Sequence, residues 1–145
     1  MKWSLAVAVL ALGVAGFALF HTYDTGPDYT DAQRGDATAR ICSAFDTVRT
    51  GVATNTNVEA PADIAGALAA AANARVALFD GGQYLLARLD PATPAELAGE
   101  VRRFADHLMD IGAAATAGVP NDDPVQARLL QDAEAAATAI SGRCR

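Results

Sequence analysis

The sequence predicts an all-α protein, with an N-terminal transmembrane helix followed by a small up-down-up-down four-helix bundle. Three observations carry this expectation. Residues 5–20 form a run with no polar side chain near the start of a 145-residue chain. Beyond residue 36 the apolar residues recur at helical three-and-four spacing, with no sustained period-two alternation. Cys42 and Cys144, 102 positions apart, fall early in the first expected helix and at the end of the fourth. In an up-down-up-down bundle those two places share one end, so a Cys42–Cys144 disulfide is expected to close it.

The N-terminal segment carries no charge between Lys2 and Asp24. Trp3 and Tyr23 flank it twenty residues apart, about 30 Å of helix, the thickness of a bilayer's hydrocarbon core. With Lys2 before the run and Asp24, Asp28 and Asp31 after it, the positive-inside rule places the N-terminus in the cytoplasm and the body outside. The rival reading is a cleaved secretory signal. Its best cut, after Ala18, falls inside the apolar run, and Leu19-Phe20-His21-Thr22-Tyr23 is a poor cleavage context. The preferred reading is an uncleaved signal-anchor over residues 1–23, and either reading exports the body. Ala8, Ala11, Ala15 and Ala18 line one face of this segment, a stripe that general alanine abundance accounts for.

Residues 24–36, broken by Gly26, Pro27 and Gly35, read as a polar linker, which leaves 37–145 as an extracytoplasmic helical domain. The first helix is expected from about Ala37 to Asn55, with Ile41, Phe45, Val48 and Val52 on one face. The second begins near Pro61, with a stripe of Ile64, Leu68, Ala71, Arg75, Val76 and Phe79. Gly81-Gly82 is expected to end or bend it, with residues 83–89 a short helical continuation or a brief strand. In the third, Thr93-Pro94-Ala95-Glu96 reads as a capping box, followed by Leu97, Val101, Phe104, Leu108, Ile111 and Ala115 at 4-3-4-3-4 spacing. The fourth starts after Asn121-Asp122-Asp123-Pro124, with Asp123 as N-cap and Leu129, Ala133, Ala136, Ile140 and Cys144 as its stripe.

Composition narrows the function classes. Hydrophobic residues make up 52% of the chain, which excludes compositional disorder. All 17 acidic residues lie at or beyond Asp24, against ten arginines there, so the body carries about −7 and has no general attraction for a phosphate backbone. Nucleic acid is therefore not an expected partner. Alanine occurs 35 times and arginine outnumbers lysine ten to one, which is the usage of a high-GC genome. Neither an alanine-rich helix nor an arginine is special evidence on that background.

Few residues suggest chemistry. Cys42 and Cys144 in an exported body point to a structural bridge, since a redox or metal role needs close spacing or nearby histidines. His107 lies between Asp106 and Asp110 on the third helix, and a metal site there lacks a further ligand pair. Asn121-Asp122-Asp123 lacks the glycine and terminal glutamate of an EF-hand loop. Glu96 and Glu100 suit the start of a helix. Ser43 has no nucleophile elbow around it. No phosphate loop or dinucleotide fingerprint occurs, so no cofactor, no metal and no catalytic residue is expected. Arg34, Arg40, Arg143 and Arg145 are expected to gather at the bridged end.

The stretches Ile41-Cys42-Ser43-Ala44-Phe45, AANARVAL, LLARLDPATPAELA and DIGAAATAGVPNDDP, with the late cysteine, resemble a family of alanine-rich envelope proteins of mycobacteria and related actinobacteria. The likeness covers about 105 residues and is most specific from Leu85 to Pro124. It implies a source and an exported compartment, and it supplies no activity, ligand or site residue. The leading expectation is a single-pass protein held in the cytoplasmic membrane through residues 3–23. It would act by binding, as an accessory or scaffold component of a cell-envelope assembly with a membrane-protein partner. The alternative is a cleaved, secreted helical protein that binds a small apolar ligand between its helices, in a pocket opened by the Gly81-Gly82 break beside Tyr84. An enzyme using His107 ranks below both.

Overall fold

A computed structural model of the protein describes residues 28–59 and 61–145. The body, Asp31–Arg145, is a compact unit of four α-helices. These are α1 (Asp31–Thr56), α2 (Ile64–Arg88), α3 (Ala95–Thr116) and α4 (Pro124–Arg143). Each helix packs along the next in chain order, and all neighbours run antiparallel. Gly82 of α2 lies against Ala105 and Met109 of α3, while Gly112 lies against Leu78 and Arg75. At one end Arg40 reaches Asp90 (2.9 Å), and Arg143 reaches Glu96 (2.7 Å). Cys42 and Cys144 are joined there in a disulfide with Cα atoms 5.5 Å apart. The first and last helices are not packed along their length as the sequential pairs are. Their seam is stapled at the disulfide end.

The core follows the amphipathic stripes of α1, α3 and α4. Ile41, Phe45 and Val48 meet Leu97, Val101, Phe104, Leu108 and Ile111 of α3, and Ala133, Ala136, Ala137 and Ile140 of α4. Phe45 and Phe104 stand edge to face with centroids 5.4 Å apart.

The membrane-anchored architecture is corrected. Among the described residues no helix is long and apolar enough to cross a membrane. The physical reason is the charge on every helix: Arg34, Arg40 and Arg49 on α1, or Arg75, Asp80 and Arg88 on α2, break any apolar stretch. The transmembrane segment expected at 1–23 lies outside the described residues. The four helices give no support to a single-pass location, to a membrane partner through residues 3–23, or to the scaffold role built on them.

Four local expectations also change. Helix α1 begins at Asp31, so residues 31–36 are helical rather than linker. Gly81 and Gly82 neither end nor bend α2, which continues to Arg88, so residues 83–88 are helix and not strand. The glycines serve close packing instead. A Cβ on Gly82 would sit 2.6 Å from Met109 Cγ and 2.7 Å from the Ala105 carbonyl oxygen, and one on Gly81 would sit 2.9 Å from Val48 Cγ1. Helix α2 therefore turns its small residues inward, so Val76 and Phe79 face solvent. Ile64 (80% exposed) and Leu68 (65%) project past the end of α3, because the Gly112–Arg75 register leaves the first turns of α2 without a partner. Finally, Thr93 does not cap α3. Its hydroxyl is buried without a hydrogen-bond partner, and the turn is held by Asp90, whose Oδ1 accepts from the Ala92 N–H at 2.8 Å.

The other helix ends are closed by caps, with α2 starting at Ile64 rather than near the expected Pro61, which is not helical, and α3 and α4 bounded where the sequence leads one to expect. Asp63 caps α2 by accepting from the Gly66 N–H at 2.7 Å. Asp123 caps α4 by accepting from Val125 (2.9 Å) and Gln126 (3.2 Å). Gly118, at φ +84°, ends α3 in a Schellman motif, with Val119 N–H donating to Ala114 O (3.0 Å) and Gly118 N–H to Ala115 O (3.2 Å).

Candidate functional site

All four helices contribute to one cavity of about 790 Å³ on the side of the bundle away from the disulfide. That size falls within the roughly 300–1,000 Å³ range of small-molecule sites. Its existence follows from the fold. The disulfide holds α1 to α4 at one end, and beyond the Arg49–Ser141 contact α4 lines the seam with the small Ala133 and Ala137. Leu78, Phe104, Leu108 and Ile111 line the interior. The turn Gly118-Val119-Pro120-Asn121, set by the left-handed Gly118, closes the far end. Exposed residues Arg49, Thr56, Leu130 and Glu134, with half-buried Arg75, bring polarity to the lining.

Arg49 donates to the Ser141 hydroxyl at 3.2 Å, and Ser141 donates in turn to Ala137 O at 2.8 Å. Among the described residues Arg75 has no ion pair or hydrogen bond. Near the cavity but outside its lining, Gln126 is buried to 1% exposure; its amide N–H donates to Ile111 O at 3.2 Å, while its Oε1 has no partner.

The pocket does not open where the sequence places it. The unbroken α2 leaves no gap at Gly81-Gly82, and Tyr84 instead lines a shallower cleft with Arg40, Ser43, Arg88 and Asp90 at the bridged end. There the Ala92 N–H and the Arg40 guanidinium hold the Asp90 carboxyl below its ordinary range. Arg88 stacks over the Tyr84 ring at 4.7 Å.

The residues singled out for chemistry are dispersed. His107 is half-exposed on α3 and makes no ion pair or hydrogen bond among the described residues. No three His, Cys, Asp or Glu side chains among the described residues come together to hold a metal ion. Glu96 pairs with Arg143 and Glu100 with Arg103, so both are occupied structurally. Arg40 and Arg143 of the expected basic cluster are likewise neutralised by Asp90 and Glu96. Sequence reasoning missed Arg49 altogether and treated Arg75 as part of a core stripe. The usable signal was there: Arg75 is the one charge on the inner face of α2, between Ala71, Ala74 and Leu78. In comparisons with known proteins, no family model, no curated protein and no solved structure matches this chain.

Proposed function

We propose that this protein is a secreted helical binding protein that holds a small apolar ligand inside its bundle and catalyses no reaction. The observation that carries the proposal is the cavity of about 790 Å³ with Leu78, Phe104, Leu108 and Ile111 in its lining. An apolar lining with a few polar groups is the usual build of a ligand pocket. Apolar side chains at its edge, Val52 and Leu130 among them, keep surface in contact with water, and an apolar ligand removes that contact. The disulfide supports the compartment, since such bridges persist in oxidising surroundings.

Titration with the neutral fluorophore N-phenyl-1-naphthylamine tests the proposal. Saturable, one-to-one enhancement is expected for the native protein. It should be lost in Ala115→Trp, which places an indole in the cavity from a partly exposed position that does not disturb the core. No enhancement with the native protein, or equal enhancement with the folded variant, would sink it.

A further inference from the structure

The chemistry of the cavity's polar groups narrows the ligand further. We infer that the site takes an aliphatic chain ending in a carboxylate, with the chain against Leu78, Phe104, Leu108 and Ile111 and the head group at Arg49 and Arg75. This rests on the proposed binding function and adds to it the charge and orientation of the ligand.

Three observations point this way. First, the cavity is cationic in a protein of net charge −6: its lining holds two arginines and one acid, Glu134. Neither arginine is paired with that acid in the structure. Second, four arginines of this acid-rich body pair with carboxylates, Arg40–Asp90, Arg103–Glu100, Arg128–Asp132 and Arg143–Glu96, whereas those on the cavity do not. Arg75 stands half-buried without any such partner among the described residues, and Arg49 meets only a neutral hydroxyl. The half-buried Arg75 guanidinium is less solvated than an exposed one and gains more from an incoming anion that accepts two parallel N–H bonds. Third, the two arginines come from α1 and α2, with Ala53, Ala71 and Ala74 of the same helices in the lining. These small side chains fill little of the cavity along the two helices that carry the arginines.

The rival ligands, a neutral apolar molecule and a cationic amphiphile, make different use of the site. A neutral molecule leaves both arginines unmatched, and a cation is repelled by them. Displacement of N-phenyl-1-naphthylamine from the full chain by dodecanoate, dodecan-1-ol and dodecylammonium separates the three at constant chain length. Dodecanoate is expected to displace the probe at about tenfold lower concentration than the alcohol, the effect of one charge-assisted contact. The ammonium should be weakest. In Arg49→Gln/Arg75→Gln, with helicity checked by circular dichroism, the advantage of the carboxylate over the alcohol should vanish. Equal displacement by all three ligands, or an advantage that survives in the double variant, would overturn the assignment while leaving apolar binding intact. Failure of the probe to bind the native protein would remove both.

Discussion

Replacing Gly82 by alanine tests how α2 is seated, and the structure supplies both sides of the comparison. In a helix interior alanine is favoured over glycine by about 1 kcal/mol. That gain is available at Gly99 of α3, where an added Cβ meets nothing within 4 Å. It is also available at Gly82, but there the Cβ would lie 2.7 Å from the Ala105 carbonyl oxygen, against 3.4 Å for an ordinary contact. Met109 can swing aside, whereas a backbone carbonyl cannot, so α2 and α3 must separate locally by about 0.7 Å. Overpacking of this kind costs about 1–3 kcal/mol. Because the propensity gain is common to both sites, the difference between Gly99→Ala and Gly82→Ala isolates the clash. Gly99→Ala should melt above the native protein and Gly82→Ala level with it or below. With about 4 °C per kcal/mol for a body of this size, the gap between the variants should be roughly 4–12 °C. Thermal unfolding followed by circular dichroism, with the disulfide intact, measures it. A Gly82→Ala variant as stable as Gly99→Ala would show that the two helices do not meet as described.

Removing the bridge with Cys42→Ser/Cys144→Ser frees a 102-residue separation and should cost about 4.7 kcal/mol by chain entropy, read as a lowered urea midpoint. An unchanged midpoint would remove the disulfide from the stability of the fold. Gly118→Ala forces a Cβ into the left-handed region at φ +84° and should cost roughly 1–2 kcal/mol, measured the same way. Gln126→Met takes away a buried oxygen with no partner along with one N–H···O bond to Ile111, and should stabilise by about 1 kcal/mol in denaturant titration. Asp90 has a lowered pKa, held by the Ala92 N–H and Arg40, so its ionised form contributes stability above the ordinary carboxylate range. That contribution is lost as pH falls through the lowered value. The melting-temperature gap between native protein and Asp90→Asn should therefore be open at neutral pH and close in acid, and a gap constant down to pH 2 would contradict the pairing.

The parts of the fold legible in the sequence were those set by one element at a time. The stripe from Leu97 to Ile111 and the Asp123 cap depend on local spacing and local hydrogen bonds, and both are found where the pattern puts them. The two cysteines reported topology because their places on the first and last helices had to agree. The second helix was misread because its inner face is small rather than apolar. A stripe search is drawn to Ile64, Leu68, Val76 and Phe79, whereas close approach of helices selects Gly81 and Gly82, and that need exists only in the presence of Val48, Ala105 and Met109. The capping box fails for a related reason: the Asp90 carbonyl accepts the Thr93 N–H that the Glu96 carboxylate would bond, and Glu96 pairs with Arg143 instead. The cavity was invisible for a simpler reason. It is a volume left over after four helices have packed, and no single stretch of sequence encodes it.

The bond between Cys42 and Cys144 also makes most of the body a macrocycle. Every residue from 42 to 144 lies on a closed covalent path, with only short arms outside it. The connection between α1 and α2 is the most accessible part of that path, with residues 57–59 and 61–63 all exposed and Glu59 among them. A single cut there would linearise the circle without releasing a piece: the nicked molecule would keep its mass apart from one added water, and two fragments would separate only after reduction. One backbone break in that connection would therefore leave the two parts of the body covalently joined.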